Sequence, residues 1–316
     1  MQNDYFALRY SNNPELIYEK ETEAGIKHIV LNSNYPTEYK NNEKLVLKIS
    51  GDPERSSGNI IFLHGTGQKN LKHLLWFIEH MPEHGFSGTM MILPYHFERT
   101  PVGYKSGELF METNATLLRN RFENAVVDTL TTVNYLKEFK KPIYIMGYSF
   151  GGFIAVISAS LNKDIRKLSL VVTGGNFYHI TWKSFATKVL RVKYEEDKSC
   201  NEKKCCELHQ YIYREYLKNL ETPKIVVNSA PKACFEYDPL TFAKFVEQPT
   251  LLFEAMFDIF IPKASSQELN KALPNSKLYK LPVGHLSSIL YKKKVLNKTI
   301  DHFKGNLKDK NSRRLK

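Results

Sequence analysis

Three observations predict an α/β fold. We expect a mostly parallel sheet that helices cover on both faces, with a helical cap insertion. Short apolar runs alternate with helical periodicities along most of the 316 residues, as in parallel strands joined by helices. A serine between glycines follows one apolar run and opens a helical stretch. Residues 176–235 then interrupt the alternation with two further helical patterns. We therefore expect one domain over residues 1–316, with 176–235 as a cap inserted within it.

The strands are predicted from the apolar runs, in chain order. An amino-terminal pair covers residues 26–32 and 45–49. Apolar stripes at helical spacing predict a helix around residues 71–81 and another around 118–136, each with one face in the core. After the glycine-flanked serine, small residues on one side of the next helix let it pack close to the sheet. The remaining strands are expected near residues 59–63, 88–93, 142–146, 168–173, 249–254 and 277–281.

Composition restricts the class of protein. No stretch of about 18 consecutive apolar residues occurs, and the first residues lack a basic segment followed by an apolar run, so we expect a soluble, cytoplasmic protein. The cysteines Cys200, Cys205, Cys206 and Cys234 are expected to be reduced thiols there. Their spacing lacks a paired C-x-x-C, which disfavours a metal site. No phosphate-cradling loop is present, so the sequence predicts neither a cofactor nor a metal.

Ser149 is the predicted nucleophile. It lies in Gly-Tyr-Ser-Phe-Gly, residues 147–151, directly after the apolar run at 143–146. Glycines on both sides remove side chains that would clash where a sharp turn holds the serine in a strained conformation above the strand end. The motif alone also fits an ordinary turn, and the preceding strand is what favours catalysis. A serine hydroxyl is a weak nucleophile, so a histidine and a carboxylate must accompany it.

Asp258 and His285 are the predicted partners of Ser149. Asp258 follows the buried strand near 249–254, and His285 follows the break at 282–284 after the last strand. The chain order of serine, aspartate and histidine resembles that of the catalytic triad in the α/β-hydrolase superfamily. We expect His285 to act as the base and Asp258 to orient it.

The predicted oxyanion hole uses the backbone N–H groups of Thr66 and Phe150. Acyl transfer needs two such donors aimed at the developing negative charge. Phe150 follows the nucleophile, and Thr66 lies in His-Gly-Thr-Gly, residues 64–67, directly after a strand. His64 can either hold this loop by hydrogen bonds or serve as the base, and the chain order favours His285 as the base.

With these motifs the sequence resembles the α/β-hydrolase superfamily over roughly residues 40–303. One departure is Ala255, where many members have glycine after the strand that delivers the acid. A narrower resemblance rests on the segments 94–96, 99–101, 106–108 and 238–240, which are similar to the group typified by alpha/beta-hydrolase domain-containing protein 18. That resemblance implies a serine hydrolase, with lipids among the candidate substrates.

Two regions are predicted to border the site. In the cap, the stripe of Trp182, Phe185 and Val189 can form either a wall for an acyl chain or ordinary packing. In the loop 95–108, His96, Arg99 and Glu108 can either touch substrate or brace the loop. Sequence alone leaves both pairs of alternatives open.

The predicted activity is hydrolysis of a small-molecule or lipid ester, carboxylic ester or thioester, through an acyl-enzyme. A peptidase or amidase of the same fold, or a non-catalytic binding module that keeps the fold, are the alternatives. The net charge is +12, but no nucleic-acid recognition motif accompanies it. Residues 263–316 hold fourteen Lys and Arg against Glu268, Asp301 and Asp309, an excess of +11. We expect a disordered basic tail at 304–316, either solvated or in peripheral contact with an anionic membrane.

Overall fold

A computed structural model describes residues 4–7, 14–22, 25–67 and 70–306. Within these ranges the chain forms one sheet of nine strands in the spatial order β1-β2-β3-β5-β4-β6-β7-β8-β9. The strands are β1 (Leu16–Glu21), β2 (Ile26–Asn32), β3 (Lys44–Ser50), β4 (Asn59–Leu63), β5 (Ser87–Met91), β6 (Ile143–Tyr148), β7 (Ile165–Val171), β8 (Thr250–Ala255) and β9 (Ser276–Leu281).

The described sheet is mostly parallel, as predicted. The pairings β1/β2, β2/β3 and β3/β5 are antiparallel, whereas every pairing from β5 through β4 to β9 is parallel. All residues of β4 and β6 are buried, because helices cover both faces of a parallel sheet. The strand order reverses at β4, which lies between β5 and β6. Ligands bind at the carboxyl ends of strands at such a switch point.

Helices form two apolar layers, one on each face of the sheet. Alternate residues of β4 face opposite layers: Ile61 packs with one cluster and Phe62 with the other. The helices are α1 (Lys72–His80), α2 (Ala115–Lys137), α3 (Phe150–Leu161), α4 (Lys188–Glu196), α5 (Glu202–Glu207), α6 (Tyr213–Asn219), α7 (Pro239–Ala243), α8 (Lys263–Ala272) and α9 (Lys292–Lys304). Helices α1 and α9 contribute to the layer of Phe62, whereas α2, α3, α7 and α8 contribute to the layer of Ile61.

Strand β1 was absent from the sequence prediction. All six of its residues are exposed, so it has no buried face and no apolar alternation to detect. Only backbone pairing with β2 makes it a strand. The predicted amino-terminal pair corresponds to β2 and β3, which are antiparallel in register from Ile26 opposite Ser50 to Asn32 opposite Lys44.

Residues 176–235, the predicted cap, contain α4, α5 and α6 between β7 and β8. Trp182 lies in a short helical turn, His179–Lys183, that precedes α4. Helix α5 runs through the turn Leu208–Ile212 into α6 without a break. The charged stretch at 193–204 contains the end of α4 and the beginning of α5.

The carboxy-terminal helix α9 ends at Lys304, and Gly305 adopts φ +79° as its left-handed cap. Residues 307–316 of the predicted basic tail lie outside the described residues. In the described part of the chain, no helix combines the length and apolar character that a membrane crossing needs.

Candidate active site

Ser149 lies at the junction of β6 and α3 in a strained backbone conformation, with φ +52° and ψ −118°. Its amide N–H donates to the carbonyl oxygen of Val171 at 2.8 Å. A Cβ atom at Gly151 would lie 2.1 Å from the carbonyl oxygen of Leu63. Only glycine permits this approach of the helix to β4, and the close packing holds the serine turn at the strand end.

The structure brings His285 and Asp258 to Ser149. The distance from Ser149 Oγ to His285 Nε2 is 2.9 Å, and the distance from His285 Nδ1 to Asp258 Oδ2 is 2.8 Å. Both distances are within hydrogen-bond range. Asp258 follows β8 and His285 follows β9, so the carboxyl ends of neighbouring parallel strands deliver both groups to one edge of the sheet.

Backbone donors fix the orientation of Asp258. Its Oδ1 accepts from the amides of Phe260 and Ile261, each at 2.8 Å. Its Oδ2 is thereby left to accept from His285 Nδ1–H, so that Nε2 can accept the Ser149 proton. The side chains of His285 and Asp258 are 8% and 3% exposed. Ala255, the departure from the usual glycine, still permits this geometry.

An aromatic ring covers the imidazole. The ring centroids of Phe260 and His285 are 5.2 Å apart with an interplanar angle of 32°. Phe260 follows the acid within the same turn, so one loop both orients His285 and shields it from water. The sequence contained Phe260 within an apolar run but no signal of this contact.

Thr66 and Phe150 lie in the wall of the same cavity as Ser149 and His285. Phe150 is the first residue of α3, and the first N–H groups of a helix have no partner inside it. A Cβ atom at Gly65 would lie 3.1 Å from the Cβ of Ser149. The glycine therefore allows the loop at 64–67 to approach the nucleophile closely. Thr66 and Phe150 thus both border the cavity beside Ser149.

His64 holds this loop. Its Nδ1 donates to the carbonyl oxygen of Gly65 at 2.7 Å, and its Nε2 accepts from the amide of Leu93 at 3.0 Å. Burial, reinforced by the neighbouring His96, lowers the pKa of His64 to about 3. Both ring nitrogens are already hydrogen-bonded, and a pKa this low makes the imidazole a weak base, so His64 is not suited to take the serine proton.

The loop 95–108 is braced by buried polar groups. Arg99 is fully buried; its Nη1 lies 2.7 Å from Asp128 Oδ2, and its Nη2 donates to the carbonyl oxygen of Asn42 at 3.0 Å. His96 is also fully buried and packs against Gly107. Glu108 accepts from the backbone amide of Lys105 at 2.9 Å. Of the two alternatives for these side chains, the contacts favour bracing.

Two cavities adjoin next to Ser149. The first, of about 600 Å³, contains Ser149 and His285; it is called the catalytic cavity in the proposals below. The second, of about 390 Å³, extends beneath the 176–235 segment and is mostly apolar; we refer to it as the inner cavity. Their common wall consists of Met111, Phe150, Phe153, Ile180 and Thr187. Sequence reasoning missed Met111 and Phe153 because their contact with the cavity depends on segments distant in the chain.

The aromatic side chains of the cap that the sequence placed in one stripe lie in different surroundings. Trp182 is 6% exposed and lines the inner cavity. Phe185 is 64% exposed and contacts Phe260, with ring centroids 6.2 Å apart. The stripe read from the sequence therefore does not face one common surface.

This strand order, with a strained serine at the end of β6, defines an α/β-hydrolase fold. Residues 36–304 match the family described as alpha/beta hydrolase domain containing 18. The chain belongs to that family, and the resemblance found in the sequence is confirmed. No curated protein matches it.

Solved structures share the fold at low sequence identity. A cold-adapted esterase from an Arctic intertidal metagenomic library is 14% identical with a TM-score of 0.56, covering 92% of this chain and 98% of that one. An enol-lactonase from Burkholderia xenovorans is 17% identical with a TM-score of 0.53, covering 83% of this chain and 96% of that one. An esterase from Pyrococcus furiosus is 15% identical with a TM-score of 0.51, covering 93% and 92%.

Proposed function

We propose that the protein is a serine hydrolase that cleaves a carboxylic ester or thioester through an acyl-enzyme. The observation that carries this proposal is the hydrogen-bonded chain from Ser149 through His285 to Asp258, with distances of 2.9 and 2.8 Å. Such a chain serves to transfer the serine proton during attack on a carbonyl carbon.

In the proposed mechanism, Ser149 Oγ attacks the carbonyl carbon while His285 Nε2 takes the hydroxyl proton. Asp258 keeps the imidazole in the required tautomer and stabilises its positive charge. The Thr66 and Phe150 amides bind the oxyanion. His285 then protonates the leaving alcohol or thiol, and in the second half-reaction takes a proton from water, which releases the acid and restores Ser149. These steps use no cofactor and no metal.

The two adjoining cavities support a substrate with an apolar acyl part. The catalytic cavity and the inner cavity meet at the side chains of Phe150 and Phe153. Burial of each methylene contributes about 0.8 kcal/mol, so an apolar chain gains affinity with every carbon it places there. A peptidase or amidase would use the same catalytic residues, and a binding module would use the cavities without chemistry.

A substrate panel tests this proposal. The full-length protein should hydrolyse chromogenic p-nitrophenyl esters, with kcat/KM rising from acetate to medium-chain acyl groups. Thioesters of matched chain length measure the second substrate class, and chromogenic anilides measure amidase activity. Turnover of anilides alone would favour the amidase alternative. No turnover of any member, together with no fluorophosphonate labelling, would favour the binding module.

Trp182→Ala should change acyl-chain preference, since the indole lines the inner cavity. We expect the ratio of kcat/KM for a long ester to that for acetate to change by roughly tenfold, about 1.4 kcal/mol. Phe185→Ala is the matched control because that ring is exposed and lines neither cavity. Equal losses on both esters, in step with a lower Tm, would indicate that Trp182 serves only in packing.

Peripheral contact with an anionic membrane is a second proposal, supported by the basic excess and by an exposed apolar rim. Phe257 and Ile259 flank Asp258 in the chain and are exposed, as are Leu286 and Leu290 after His285. A nearby anionic surface attracts each basic residue by about 1 kcal/mol. The apolar rim would then contact the lipid beside the catalytic cavity, which suits a lipid ester.

Vesicle sedimentation tests this contact. The protein should sediment with phosphatidylserine-containing vesicles but not with pure phosphatidylcholine, and physiological salt should weaken binding. Deletion of residues 307–316, which hold five Lys and Arg against one Asp, should lower binding by more than about tenfold. This truncation retains the α9 cap at Gly305 and should keep soluble-ester turnover. Equal sedimentation with both vesicle types, or with neither at low salt, would leave the charge a solvated surface.

A further inference from the structure

The cysteines of the 176–235 segment lie around the inner cavity. Cys200, Cys205 and Cys234 line it, whereas Cys206 is absent from its wall. All four thiols are free. Cys200 is half-buried and Cys205 is buried. A group of thiols in one apolar wall is unrelated to the proposed ester hydrolysis, so it calls for a separate account.

The beginning of α5 places Cys200 beside Cys205. Asn201 is the N-cap; its side chain accepts from the amide of Lys204 at 2.9 Å, and its carbonyl oxygen accepts from the amide of Cys205 at 2.9 Å. Cys200 therefore precedes the cap, and Cys205 is the fourth residue of the helix. These two positions are the ones whose side chains meet across a helix start. Both side chains also line the wall of the inner cavity, and each shifts the pKa of the other.

The surroundings distinguish the two sulfurs. Interaction with Cys205, with the Asn201 backbone and with the charges of Lys204 and Lys232 lowers the pKa of Cys200 to about 6. Interaction with Cys200 and burial raise the pKa of Cys205. The two shifts favour the thiolate at Cys200 and the protonated thiol at Cys205. A thiolate that is partly exposed, with a second thiol in contact, is the arrangement of a peroxide-reactive cysteine and its resolving partner.

We propose that Cys200 is a peroxide-reactive thiol that, once oxidised, forms a disulfide with Cys205 in the wall of the inner cavity. The Cys200 thiolate attacks one oxygen of hydrogen peroxide, the O–O bond breaks, and the sulfur becomes a sulfenic acid as hydroxide leaves and is protonated. The Cys205 sulfur then attacks the sulfenic sulfur. Its proton goes to the departing hydroxide, so two thiols and one peroxide yield one disulfide and two waters.

Disulfide formation would alter the inner cavity. The S–S bond length is about 2.05 Å, so bond formation draws the loop at 197–201 toward α5. If the inner cavity holds the acyl chain, which rests on the proposed function, oxidation should change turnover of long esters more than that of acetate. The disulfide itself is detected by mass and does not depend on any hydrolytic activity.

Mass spectrometry of the full-length protein tests the proposal. Trypsin cuts after Lys203 and Lys204 and separates residues 199–203 from 205–214. After stoichiometric hydrogen peroxide and alkylation of the remaining thiols, these two peptides should be joined, with two hydrogens fewer than their sum. Cys206→Ser leaves Cys205 as the single cysteine of the second peptide, so a retained cross-link identifies the partner.

The Cys205→Ser variant tests the first step. Without its partner, Cys200 should remain as a sulfenic acid that dimedone labels roughly tenfold faster than Cys206 in the same chain. Replacing Lys204 and Lys232 by Gln should slow this labelling. Loss of the cross-link in Cys206→Ser, or equal dimedone labelling of Cys200 and Cys206, would overturn the proposal. A cross-link from Cys200 to Cys234 in its place would overturn the assignment of Cys205.

Discussion

Ser149→Ala should abolish labelling of the chain by a fluorophosphonate and lower kcat by about 10⁴- to 10⁶-fold. In the proposed mechanism the hydroxyl supplies both the atom that attacks the carbonyl carbon and the proton that moves to His285 Nε2, 2.9 Å away. Alanine keeps a Cβ atom at the same strained position, so the turn itself should be preserved. The Tm should therefore shift by no more than about 2 °C.

Ser158→Ala is the matched control for this variant. Ser158 is a buried serine of the same helix, α3, and lines neither cavity. Its replacement should leave labelling intact and report any general effect on helix packing. Full labelling of a folded Ser149→Ala protein would exclude Ser149 as the nucleophile.

Asp258→Asn should lower kcat by about 10⁴-fold while the protein stays folded. The carboxylate accepts from His285 Nδ1–H at 2.8 Å, which leaves Nε2 free to accept the serine proton. An asparagine can present an N–H to Nδ1 instead. The ring then carries its proton on Nε2, facing Ser149, and cannot act as a base. His285→Ala should be as inactive as Ser149→Ala, since it removes the base altogether.

Rate measurements on the folded variants distinguish a loss of His285 orientation from a loss of folding. Asp238→Asn is a useful comparison because Asp238 is fully buried and accepts from the backbone amides of Asn176, Phe177 and Leu240. That change should lower the Tm rather than act on the chemical step alone. Near-full activity of Asp258→Asn would mean that another acid orients His285, and Glu254 would be replaced next.

Much of the sheet could be predicted because its parallel strands are buried on both faces. Residues 59–63 and 143–146 are continuous apolar runs, and both lie within fully buried strands. Strand β1 could not be predicted in this way, because its six residues are exposed. Its pairing uses backbone groups that every residue type supplies.

The candidate catalytic residues could be predicted because each follows a recognisable strand. Carboxyl ends of parallel strands meet at one edge, so Ser149 after β6, Asp258 after β8 and His285 after β9 converge from distant parts of the chain. The roles of His96, Arg99 and Glu108 in the loop 95–108 could not be predicted in this way. Arginine is a residue type that can bind substrate, and only the burial of Arg99 against Asp128 shows that it braces the loop.

The sequence by itself determined the α/β class, the family resemblance and the order of the candidate residues, because strand periodicity and glycine-dependent turns are local properties of the chain. Only the tertiary structure decided which side chains share a surface. Trp182 lines the inner cavity while Phe185 is exposed, although the two residues are only three positions apart in the chain. Cys200 and Cys205 line the same cavity because a helix begins between them, with Asn201 as its N-cap. Contacts of this kind depend on where helices begin and on segments distant in sequence, which no local pattern encodes.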